Sequence, residues 1–143
     1  MKYSIFICIA LFIAACSKTG NTLNEPTSSL PMLDTLSTNL IWRGDFENGF
    51  YGSCTGKVFI YKVGDTLKLR LDDFRVSNGP DLKVYISKEA EPLNFYSLGS
   101  LQAFSGNQEY KIMQRIDFNA FKYVIIHCER YNHQFGKSVL RMP

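Results

Sequence analysis

No block of like charge occurs anywhere in the chain: 16 lysines and arginines are scattered among 13 acidic residues, for a net charge of +3. Nucleic-acid partners are excluded on this ground, since a phosphate backbone is met by clustered cations. No apolar run reaches the ~20 residues that a membrane-spanning helix requires. Histidine is scarce, with only His127 and His133, and His127 adjoins Cys128. Neighbouring strand residues face opposite ways, so these three do not converge on one ion, and a zinc site usually takes four ligands at recognisable spacing. No metal site is expected. No cofactor is evident either, because the Cys-x-x-Cys-His motif that would attach haem is missing. Paired catalytic carboxylates are absent as well: Asp72 and Asp73 are consecutive and point apart, and Asp117 stands alone.

What is present begins at Met1-Lys2-Tyr3, which leads into Ile5-Phe6-Ile7-Cys8-Ile9-Ala10-Leu11-Phe12-Ile13-Ala14-Ala15. A short cationic start, an apolar core and two small residues are the order of a secretory signal. Ile13-Ala14-Ala15-Cys16 resembles a lipobox, in which Cys16 receives diacylglyceryl and becomes the first residue of the mature chain. Several acyl chains on one residue, at about 0.8 kcal/mol per buried CH₂, attach a protein to a membrane lastingly. Residues 1–15 are therefore read as signal peptide, and residues 16–38, rich in Ser, Thr and Pro, as a flexible tether. Ser17-Lys18 lacks the aspartate that favours inner-membrane retention, so the expected location is the cell envelope, on an outer membrane facing the periplasm.

Loss of Cys8 with the signal and use of Cys16 by lipid leave Cys54 and Cys128. An even pair in an oxidising compartment suggests a disulfide, which would act either as a structural staple or, if strained or exposed, as a redox couple. An inert core role for either thiol is the third possibility.

Residues 39–143 alternate with the period of strands and show no sustained helical stripe. Leu67, Leu69 and Leu71 alternate with Lys68, Arg70 and Asp72, and Gly64-Asp65 is a hairpin turn that joins them to Gly56 through Val63. Asn78-Gly79-Pro80-Asp81 is a second turn, before Leu82 to Ser87. Further strands are expected near Asn94 to Leu98, Gln108 to Met113, Tyr123 to Cys128 and Lys137 to Arg141, with Arg130 to Gln134 as a polar loop. Phe121 to Cys128 is apolar almost throughout and reads as a strand covered on both faces, with Val124, Ile126 and Cys128 on one side and Tyr123, Ile125 and His127 on the other. The fold class is all-β, a single-domain antiparallel sandwich or a barrel-like variant of it. Trp42, Phe46, Phe50, Tyr51, Phe59 and Tyr61 fit its core better than a ligand platform.

Several segments in fixed order resemble one family, the DM13 domain. They are Gly79-Pro80-Asp81-Leu82-Lys83-Val84-Tyr85-Ile86-Ser87, Leu98-Gly99-Ser100-Leu101, Gly106-Asn107-Gln108-Glu109-Tyr110-Lys111-Ile112, and Tyr123 to Cys128 followed by Phe135 to Leu140. The resemblance covers roughly Trp42 to Leu140. It implies a compact extracytoplasmic β domain with a role in redox reactions or electron transfer, and it places the family's suspected redox cysteine on Cys128. The sequence departs from the family pattern at His127, where Trp is usual, and at Gly52-Ser53-Cys54, which lacks a frequent histidine. The implied function is a lipid-anchored envelope protein with a redox partner, more an accessory than a stand-alone catalyst; the alternative is a non-catalytic binding or structural domain stapled by Cys54–Cys128.

Overall fold

The computed structural model describes residues 39–143. Cys16, the expected signal peptide (residues 1–15) and the expected tether (residues 16–38) lie outside these residues. Eight strands follow one another: β1 (Leu40–Asn48), β2 (Cys54–Val63), β3 (Thr66–Val76), β4 (Leu82–Ser87), β5 (Phe95–Ser100), β6 (Ser105–Ile112), β7 (Tyr123–Cys128) and β8 (His133–Val139). All their pairings are antiparallel, in the order β5-β4-β7-β8-β1-β2-β3-β6. Of the two all-β architectures left open by the sequence, the barrel-like one is found: a single sheet curls until its edge strands β5 and β6 approach each other.

β1 makes the curl possible. Its first part, Leu40 to Asp45, pairs with β2, and its last part, Phe46 to Asn48, pairs with β8. One strand thus serves two halves of the sheet, and inward side chains from both meet in one core that includes Trp42, Phe46, Ile60, Leu69, Phe74 and Val84. The alternating leucines of β3 behave as read, with Leu69 and Leu71 fully buried. The β2–β3 hairpin closes through Gly64 at φ 58°, where a side chain on an L residue would crowd the backbone.

A buried polar clasp holds the seam beside β6. Gln108 accepts from the Ala103 N–H at 3.2 Å, donates to the Ala103 carbonyl at 2.7 Å and accepts from the Tyr110 hydroxyl at 2.8 Å. That hydroxyl in turn accepts from the Gln102 N–H at 3.0 Å. The β5–β6 connection is fastened by side chains at a place where the sheet offers it no ladder partner.

β7 is an interior strand, between β4 and β8, and is covered on both faces as expected. Val124, Ile126 and Cys128 face the core. Ile125 and His127 point outward yet are also buried. The β4–β5 loop supplies the cover: the Ala90 carbonyl accepts from Gln134 Nε2 on β8 at 2.7 Å. A loop that leaves β4 and touches β8 must cross β7.

Candidate functional site

Cys54 and Cys128 lie at the same end of the barrel, the first as the opening residue of β2 and the second as the closing residue of β7. Both side chains are fully buried in the one core. The Cys54 N–H donates to Asn48 Oδ1 at 2.8 Å, which ties the start of β2 to the end of β1. Its side chain rests on β8: a Cβ built on Gly136 would stand 2.2 Å from the Cys54 Cβ and 2.5 Å from its sulfur. Gly136 pairs with Ile126 on β7, and Cys128 follows Ile126 on the same face. Cys54 therefore packs on β8 itself, and Cys128 comes from the strand beside it.

The disulfide expected from the even count is not formed, and both residues are free thiols. Strand register explains this, because Cys54 is turned onto the backbone of Gly136, and β8 and β1 stand between β7 and β2 in the sheet. Burial pushes the Cys54 thiol up to about 12. A thiol so placed is protonated at neutral pH and is a poor nucleophile until the core opens.

Around this pair the sequence reading missed several groups. His133 does not lie in a loop but opens β8, directly opposite Cys128, and its ring stacks on Tyr51 with centroids 3.6 Å apart. The turn before it runs from Glu129 to Asn132, where Asn132 takes φ 54°, a conformation that Asn tolerates better than most residues. A register shift between Ile126 and His127 leaves β8 with an extra residue there. That bulge breaks the period of two and hid the first half of the strand.

On the outer face of β7, His127 Nε2 donates to Asn132 Oδ1 at 3.1 Å, while Nδ1 is buried without a partner. Desolvation lowers the pKa of His127, outweighing the opposing pull of Asn132 and Glu129. The ring lies 5.6 Å from that of Tyr85, which stacks on Phe95 and donates its hydroxyl to Glu129 at 2.5 Å. Burial first, then this bond, raises the Tyr85 pKa. Tyr85, on β4, and Glu129, in the turn after β7, were not singled out, because only the pairing of β4 with β7 sets them near His127.

The aromatic residues divide. Trp42 and Phe46 are core, as read, whereas Phe50 and Tyr51 are exposed in the β1–β2 loop. Among the described residues, no group of three or more His, Cys, Asp or Glu is placed to hold a metal ion.

A single-sheet, barrel-like β domain with two free thiols sealed in its core at one end is the class that this geometry defines. The chain belongs to the DM13 family, described as Electron transfer DM13, whose model matches residues 40–140. The match spans all eight strands, from the first residue of β1 to the residue after β8. No curated protein and no solved structure matches the chain.

Proposed function

We propose that this electron-transfer domain works as a redox accessory centred on Cys128, with Cys54 as the second thiol, and that lipid on Cys16 holds it in the cell envelope. The observation that carries the reading is that two free thiols share one end of the core in a domain of the electron-transfer family. In the proposed step each thiol loses a proton, one S–S bond forms, and two electrons pass to an oxidised envelope partner. The reverse step returns two electrons and two protons. The bond requires Cα atoms within about 7 Å, so the start of β2 and the end of β7 must come that near as the couple closes.

The test is a redox titration of the full chain in a glutathione buffer, with thiol trapping and peptide mass mapping. A reversible two-electron couple between Cys54 and Cys128, lost in Cys128→Ser, supports the proposal. Thiols that stay reduced throughout, or a bond that mild reductant does not reopen, would leave a binding or structural domain in its place. The anchor is tested separately by labelling cells with a radioactive fatty acid, where Cys16→Ser is expected to lose the label.

A further inference from the structure

On the outer wall of the barrel, β1, β2 and the chain after β8 border a cleft of about 360 Å³, lined by Arg43, Asp45, Lys57, Phe59, Arg141 and Met142. Its construction is unusual in charge. Arg43 and Arg141 form a hydrogen-bonded antiparallel pair, the Arg43 N–H donating to the Arg141 carbonyl at 2.9 Å and the Arg141 N–H to the Arg43 carbonyl at 2.8 Å. Residues directly opposite in such a pair put their side chains on one face, with Cβ atoms about 5 Å apart, and like charges in that position destabilise a sheet. Asp45 is opposite Lys57 in the β1–β2 register and balances that lysine. Asp45 also lines the cleft, so three cations share one carboxylate there. Neither the two arginines nor Lys57 make an ion pair or a side-chain hydrogen bond among the described residues.

The geometry points to a binding site for a phosphate group carried on a small apolar or aromatic body. Two guanidinium forks side by side offer more N–H donors than the two oxygens of a carboxylate can accept, whereas a tetrahedral phosphate presents enough oxygens for both. Lys57 adds a point charge at the rim, and Asp45 keeps the net charge from exceeding what one phosphate neutralises. Half-buried Phe59 and the exposed Met142 supply an apolar bed beside the charged end. The volume suits a compact ligand, at the lower end of small-molecule sites. A soluble phosphate monoester and the monoester headgroup of phosphatidic acid share this chemistry. The site is independent of the thiols, and failure of either reading leaves the other standing.

Thermal unfolding of the full chain in neutral maltoside micelles, at ionic strength fixed with sodium chloride, tests the site. Phenyl phosphate is titrated in one arm; in the other, phosphatidic acid is doped into the micelles. The wild-type Tm is expected to rise with at least one probe, and the arm in which it rises identifies the source. Arg141→Gln is expected to melt above wild type without ligand, because the like-charge pair is relieved, and to bind the active probe at least about tenfold more weakly. Arg43→Gln is expected to weaken binding to a similar extent. No shift with either probe, or an equal shift in wild type and Arg141→Gln, would overturn the site. So would an Arg141→Gln protein that melts lower than wild type without ligand, since the two arginines would then not be in conflict.

Discussion

Cys54 sits on Gly136 so closely that the glycine has no room for even a methyl group. The contact joins the first residue of β2 to the middle of β8, two strands that are not ladder partners. It sets the Cys54 sulfur in place against the backbone of β8.

Gly136→Ala follows directly. The added Cβ would lie 2.2 Å from the Cys54 Cβ and 3.3 Å from the Glu47 carbonyl, and neither neighbour is the free end of a flexible side chain. Overpacking of this kind costs about 1–3 kcal/mol. Urea unfolding is expected to show a free energy of unfolding lower by that amount, and Cys54→Ser in the same background should not restore it, because the clashing Cβ remains.

Thiol accessibility gives a second test. With its pKa pushed up to about 12 by burial, Cys54 holds about one part in 10⁵ as thiolate at pH 7. Alkylation of the Cys54 peptide by iodoacetamide should therefore be limited by opening of the core, and its rate should rise with urea in step with unfolding. Fast labelling in native buffer would mean that the start of β2 opens on its own.

Acid sensitivity should come in part from His127. Its pKa is lowered in the folded protein, first by desolvation, and protonation would place a new N–H at a buried Nδ1 with no acceptor. The unfolded chain binds that proton near pH 6.5 and the folded chain only lower, so stability is fully present above that value and falls as pH drops through it. Urea midpoints at pH 7.5 and 5.5 should differ more for wild type than for His127→Leu.

A second titration belongs to the outer face of β2, β3 and β6. Burial raises the Glu109 pKa, but the hydrogen bonds from Tyr61 and Lys68 and the nearby charges of Lys68 and Arg70 outweigh it, and the net shift is downward. The stabilisation is present above the ordinary glutamate value of about 4.3 and is lost as pH falls through the lowered one. Glu109→Gln should cost about 0.5–1 kcal/mol at pH 7, discounted for partial exposure, and should flatten the stability profile below pH 4.5.

The strands with plain alternation were legible from residue types alone. Leu67-Leu69-Leu71 and the apolar run of β7 declare their faces, and Gly64-Asp65 declares its turn, because each signal lies within a few neighbouring residues. β1 was not singled out, since Arg43, Gly44 and Asp45 interrupt its apolar pattern where the strand passes from one partner to the other. The first half of β8 was hidden by its bulge. At the site, both cysteines could be picked out by elimination, but their placement at one end of the core depends on contacts between residues far apart in sequence. The pairing of Arg43 with Arg141 is of the same kind, and no local pattern announces it.

The dual membership of β1 also fixes an order of events. As the chain is synthesised, Leu40 to Asp45 can pair with β2 as soon as that strand is made, but Phe46 to Asn48 must wait for Ser138, Lys137 and Gly136. Pairings so distant in sequence are slow to form, because a long loop must close before any contact rewards it. Until the final strand emerges, the last third of β1 is an unprotected edge beside an open core, and the nascent domain depends on whatever shields it in that interval.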